Sequence, residues 1–370
     1  MNALSLYAGP LAREHIRRHG LVPEHVRTIP AAAGGPKGLI LGALDRYIFG
    51  DWLPRSQQPV DLVGASIGAW RMATACLDDP VAAFERLEHD YIRQHYEFRP
   101  GNKLPPASHV SEKFSESLHS FYGGRVQAVL QHPRYRLHIL ASRGRHLLAR
   151  EHGLRTPLGY LGAFLTNTVQ RRAMGAWLER VVFSTGRAGE AGPRCADLPF
   201  DCSDYRTRQV ALDEANFYPA LQASCSIPFA LRAVHDIPGA PPGAYWDGGI
   251  TDYHLHLNYA GAHDAAAWPG LVLYPHFQRS VVPGWLDKSL KWRHRATPFL
   301  DNMLLLAPNP EWIQTLPRGK LPDRKDFTHY GNNLGARVQA WSEAVRMSTQ
   351  LADEFAAWLQ APDPSRLQAL

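Results

Sequence analysis

Asp61-Leu62-Val63-Gly64-Ala65-Ser66-Ile67-Gly68-Ala69-Trp70 is the stretch whose reading decides the fold. Val60 to Val63 is a short apolar run suited to a buried strand, and Ile67 to Leu77 carries apolar residues at helical spacing. Between them Gly64-Ala65-Ser66-Ile67-Gly68 is a G-x-S-x-G, the turn that presents a nucleophilic serine at the end of a strand. The chain must bend sharply there, so positions beside the serine need residues too small to clash with strand and helix. A tight strand-to-helix turn with a helix-capping serine is the plainer alternative.

The pattern repeats upstream. Val26 to Ala33 reads as a strand, and Gly38 to Phe49 places Leu39, Leu41, Leu44, Tyr47 and Ile48 at helical spacing. The join is Ala33-Gly34-Gly35-Pro36-Lys37-Gly38. It is not a phosphate-binding Walker loop, because Gly38 follows Lys37, and Ala33 breaks a dinucleotide fingerprint. Backbone N–H groups in such a loop converge on an anion at a helix start, as an oxyanion hole requires. Short buried strands feeding helices through glycine turns predict an α/β fold with a mainly parallel central sheet.

Further strands are expected at Tyr135–Ser142, Val181–Thr185, Gln209–Leu212, Tyr245–Asp247 and Leu271–Phe277. Pro80 to His132 reads mostly as helix, interrupted around Arg99-Pro100-Gly101 and Pro105-Pro106. Leu334 to Leu359 reads as one amphipathic helix carrying Leu334, Val338, Trp341, Val345, Leu351, Phe355 and Trp358 on one face. A soft boundary near residue 280 divides a catalytic domain, 1–280, from a helical C-terminal extension, 281–370.

Composition narrows the class. With 370 residues, 45% hydrophobic and 20% charged, the chain has a core to bury and is not a disordered segment. The net charge of +6 is scattered through mixed segments, so it gives no specific sign of nucleic acid. Four cysteines without CxxC spacing argue against a disulfide framework, and the N-terminal residues lack a signal-peptide run; a cytoplasmic protein is expected.

Trp246-Asp247-Gly248-Gly249 sets an aspartate at a strand end before two glycines. An Asp-Gly turn alone is common. Histidines offer rival chemistry. Asp252-Tyr253-His254-Leu255-His256 would place two imidazoles on one face of a strand, though no third metal ligand is spaced with them, and no metal or cofactor is expected. His254, His256, His276 or His329 would instead complete a Ser–His–Asp esterase triad.

The glycine-rich loop, the G-x-S-x-G serine and the Asp-Gly-Gly, in this order, resemble the patatin-like phospholipase family. Ala223-Ser224-Cys225-Ser226-Ile227-Pro228-Phe229 is similar to that family's segment shortly before its aspartate. The resemblance covers about residues 26 to 260, with Ala33 standing where glycine is usual and Ser226 where alanine is usual. It implies a three-layer α/β/α fold and a Ser66–Asp247 dyad that cleaves carboxylic esters of lipids, phospholipid or lysophospholipid. Gly34, Gly35 and Gly38 would form the oxyanion hole, supported by Lys37, Gly64, Gly68, Gly248 and Gly249. A catalytically silent lipid- or protein-binding relative is the alternative. Trp285 to Arg295 mixes tryptophan with basic residues, which suits either a partly buried helix or peripheral contact with an anionic membrane.

Overall fold

Fully buried apolar strands set the architecture. The computed structural model describes residues 2–96, 105–186, 195–261 and 269–370. Within them run β1 (Leu4–Ala8), β2 (Val26–Ala31), β3 (Val60–Ala65), β4 (Tyr135–Gly144), β5 (Leu178–Ser184) and β6 (Thr207–Ala211). Then come β7 (Val234–His235), β8 (Ala244–Asp247), β9 (Leu271–Pro275), β10 (Met303–Pro308) and β11 (Leu367–Ala369). They form one sheet in the order β11-β1-β10-β9-β2-β3-β4-β5-β6, with β8 attached to β4 and β7 to β8. Pairing from β10 through β9, β2 and β3 to β4 is parallel, whereas β1–β10, β4–β5 and β4–β8 are antiparallel. Every residue of β3, β5, β9 and β10 is buried, as a sheet covered on both faces by helices demands. The result is a three-layer α/β/α fold with a mostly parallel sheet.

The structure departs from the sequence expectation at several places. The helical extension after residue 280 also supplies β10, which enters the sheet between β1 and β9, so the sheet runs through the soft boundary. Met303-Leu304-Leu305-Leu306 is short and wholly apolar, and such a run carries no period to separate a central strand from a buried helix. The last amphipathic element is two helices, Leu334–Met347 and Thr349–Gln360. They part at Ser348, which is fully buried and donates its hydroxyl to Val345 O at 2.6 Å. Trp341, Val345, Leu351, Phe355 and Trp358 are nonetheless all buried, so the apolar face persists across the break. The helix expected from Gly38 begins as 3-10 turns over Gly35–Leu41 before the α-helix Gly42–Tyr47. Trp285 to Arg295 is not a continuous helix but two 3-10 turns, Trp285–Asp287 and Lys291–Arg293. The expected break at Arg99-Pro100-Gly101 lies outside the described residues.

Candidate active site

Strand pairing along one edge of β4 brings the serine and the aspartate together. β3 runs parallel to β4 and ends with Ala65 opposite Leu140. β8 runs antiparallel along the same edge and ends with Asp247 opposite Ala141. The two strands therefore meet head-on at their C-terminal ends, one ladder position apart. Ser66 Oγ donates to Asp247 Oδ2 at 2.7 Å, across 181 residues of sequence, and both residues are buried.

The turn at Ser66 is strained. Its φ of 57° and ψ of −130° lie where side chains rarely sit, at a cost of about 1–3 kcal/mol. Two hydrogen bonds and two close approaches hold it there. Ser66 N–H donates to Ser224 Oγ at 2.9 Å, and Ser224 in turn donates to Leu140 O at 2.6 Å. A Cβ at Gly64 would stand 2.4 Å from Ala69 Cα, and one at Gly68 would stand 1.8 Å from Ala31 O. Those glycines let the elbow helix, Ile67–Ala75, press against the ends of β3 and β2. Gly248 serves the same purpose on the aspartate side, where a Cβ would lie 2.1 Å from Leu140 O.

Asp247 is fixed as firmly. Its amide donates to Ser226 O at 2.9 Å, and its Oδ1 accepts the Gly249 N–H at 2.7 Å. Burial raises the carboxyl pKa above the usual aspartate value, while the Arg324 charge, the Ser66 and Gly249 hydrogen bonds and the Lys288 charge pull it back down. The carboxylate is thus a stronger base than one in water, without a histidine at its side.

The glycine loop reaches the dyad from the end of β2. Gly34 packs flat on Phe277, where a Cβ would meet the ring at 2.6 Å, and Gly35 adopts φ of 56°. The two residues sit at the start of the 3-10 turns, where N–H groups have no partner within the helix. Ala33 does not share that freedom, because its N–H donates to Tyr253 O at 3.0 Å. Gly38 lies deeper in the 3-10 turns, where the i→i+3 pattern engages amides, and a Cβ there would make ordinary contact with Ile67 at 3.4 Å. Lys37 turns to the Phe277 ring, 5.0 Å from its centroid, and burial lowers its pKa.

Two cavities flank the pair, and Arg324 lines both. A cavity of about 250 Å³ on the serine side is lined by Ser66 with Trp70, Val110, Phe114, Leu231 and Phe327. A cavity of about 240 Å³ on the aspartate side is lined by Asp247 and Gly34 with Lys37, Lys288, Arg324 and Lys325. Among the described residues, no carboxylate lies within 4 Å of the charged group of Lys37, Lys288 or Arg324. Lys288 is an exposed residue, but its ammonium lies 3.9 Å from the Tyr253 ring centroid. Burial, then repulsion from Arg324 and Lys37, brings its pKa down to about 8.

The histidines stand elsewhere. Residues 253–257 are not a strand, since Leu255 has φ of 50°. His254 Nδ1 meets Ser280 O at 3.1 Å, and His256 bonds Val281 O and Thr297 Oγ1, so the two rings tie this turn to separate partners. His276 bonds Gln278 O, and His329 lies exposed on the helix Lys325–Tyr330. None of the four hydrogen-bonds Ser66 or Asp247; the Asp247 carboxylate instead takes the Ser66 hydroxyl and the Gly249 amide.

Ser224, Cys225, Lys288 and Arg324 are site residues that sequence reasoning did not assign roles. Ser224 was within reach, because it lies in the segment quoted before the aspartate. Cys225 lines the apolar cavity beside Ser66, and burial followed by the Asp247 charge raises its thiol pKa well above the ordinary value. Lys288 and Arg324 come from after residue 280; Lys288 lies in the Trp285–Arg295 segment, whose mix of tryptophan and basic residues does not point to this cavity, and no local pattern marks Arg324.

The family model described as Patatin-like phospholipase matches residues 32–254 of the chain. A search of curated proteins found no match.

Proposed function

Because the chain belongs to the patatin-like phospholipase family, whose members hydrolyse lipid esters, we propose that Ser66 is its nucleophile and Asp247 the general base. The observation that carries this is the 2.7 Å hydrogen bond from Ser66 Oγ to a buried carboxylate of raised pKa. Asp247 takes the hydroxyl proton as Ser66 Oγ attacks the ester carbonyl. The Gly34 and Gly35 amides stabilise the tetrahedral oxyanion, which collapses as Asp247 returns the proton to the leaving alcohol. Asp247 next takes a proton from water, which attacks the acyl-serine and releases the fatty acid.

The two cavities support an ester with an apolar acyl chain and an anionic leaving group. Trp70, Val110 and Phe114 suit the chain, while Lys37, Lys288 and Arg324 suit the phosphate of a phospholipid or lysophospholipid. On this reading residues 1–280 hold the reacting groups, and 281–370 complete the leaving-group side. No helix among the described residues is long and apolar enough to cross a membrane, so lipid would be met at its surface. Incubation with a lysophospholipid, with released fatty acid measured by mass spectrometry, tests the reading. Release by the wild type and none by Ser66→Ala is expected; equal release by both would overturn it.

A further inference from the structure

The helix Arg155–Val169 turns a row of aliphatic side chains toward solvent. Leu154 at its N-cap is 75% exposed, Leu158 59%, Leu161 54%, Leu165 58% and Val169 86%. Steps of four, three, four and four residues keep these five side chains on one stripe. After Arg155 the helix has no charged residue. Its other side is already used, with Thr156, Gly159, Tyr160, Ala163 and Asn167 buried. Single exposed leucines are ordinary, but a contiguous stripe of five marks an interaction surface.

Charge and position identify the occupant. Arg155 stands exposed at one end of the stripe, and Arg172 is exposed just beyond the other. Arg293 fastens the turn Lys291–Arg293 to that same end, donating to Thr168 O at 3.2 Å and to Asn167 Oδ1 at 3.2 Å. Buried Asp287 secures the joint by accepting from Asn167 and Arg293, each at 2.8 Å. Held there, Trp292 is 61% exposed between the exposed cations Lys291 and Arg295. Aliphatic side chains bordered by tryptophan and basic groups match the layered chemistry of a bilayer surface, apolar within and anionic at the headgroups. The stripe also leads to the reacting serine. Tyr160, on the helix's inner side, lies 6.0 Å ring to ring from Phe229, which is 62% exposed and lines the apolar cavity with Ser66.

We propose that the stripe Leu154–Val169, with the Lys291–Arg295 turn beside it, seats this protein on anionic lipid with the mouth of the acyl cavity facing the bilayer. The use of that seat rests on the hydrolase reading, but the seat itself does not need the enzyme to turn over. Ser66→Ala protein is therefore sedimented with phosphatidylglycerol vesicles and with phosphatidylcholine vesicles. Partitioning at least tenfold stronger onto phosphatidylglycerol is expected, weakening as salt rises. Leu158→Glu with Leu165→Glu, and separately Lys291→Glu with Arg295→Glu, should each reduce that partitioning at least tenfold. In the Ser66 background the same pairs should hydrolyse a soluble short-chain ester at the wild-type rate, which also shows that they are folded. Equal binding to both lipids, or binding indifferent to both pairs, would overturn the proposal. So would a solution dimer that Leu158→Glu with Leu165→Glu turns into monomer, because a second copy would then cover the stripe. Loss of ester hydrolysis in the wild type would count against the hydrolase reading alone.

Discussion

Ser66 and Asp247 reach each other from buried strand ends inside the family-matched region, whereas Lys288 and Arg324 approach them from beyond residue 280. The first pair is held by backbone: a ladder on β4, a strained turn and glycines that no larger residue can replace. The second pair stands at the ends of short elements, Lys288 after the 3-10 turn Trp285–Asp287 and Arg324 at the N-cap of the helix Lys325–Tyr330, and is exposed. On the proposed reading, chemistry that tolerates little displacement falls where the sheet leaves no freedom. Recognition, which tolerates more, falls on that reading to the exposed rim.

Loss of function separates the two regions most sharply. Ser66→Ala and Asp247→Asn should each lower kcat/KM for a lysophospholipid by about a thousandfold or more. Lys288→Met should instead raise KM about tenfold for the anionic substrate and leave an uncharged soluble ester unaffected. Below about pH 8 Lys288 carries its charge, so the wild-type advantage for the anionic substrate should fade as pH rises through that value. Steady-state kinetics on the two esters checks both statements.

Next in size is the backbone contrast. Gly68→Ala places a methyl 1.8 Å from Ala31 O and should destabilise the fold by about 2–4 kcal/mol. Gly38→Ala meets only ordinary contact at 3.4 Å and should be tolerated, as thermal unfolding of the two variants would show.

Subtler still is the electrostatic link between the regions. The Arg324 charge favours ionised Asp247, so Arg324→Gln should move the acidic limb of kcat/KM to higher pH, measured on the uncharged ester. A raised folded-state pKa means that Asp247 favours the fold in acid and loses that contribution as pH rises through the folded value. Asp247→Asn should accordingly gain in Tm relative to wild type as pH rises above the ordinary aspartate value.

The site was legible in the sequence wherever backbone geometry dictates residue type. Gly64, Gly68 and Gly248 are glycines because a Cβ has no room. The strands β2, β3, β4 and β5 were equally readable, whereas β1 and the helix Arg155–Val169 were not read at all. β10 was missed because Met303–Leu306 is too short and too uniformly apolar to declare its type. Of the three oxyanion-loop glycines, Gly34 precedes the 3-10 turns, Gly35 opens them and Gly38 lies inside them, a division that spacing alone does not show. Lys288 and Arg324 reach the site only through tertiary packing. The exposed stripe on Arg155–Val169 was invisible for a related reason: periodicity shows an apolar face, not whether anything covers it.

Intact-protein and peptide mass spectrometry after reaction with a fluorophosphonate tests the dyad most directly. The phosphonyl group should be found on Ser66 in the wild type, be absent from Ser66→Ala, and form far more slowly in Asp247→Asn. Modification of another residue, or an undiminished rate in Asp247→Asn, would contradict a serine activated by this carboxylate.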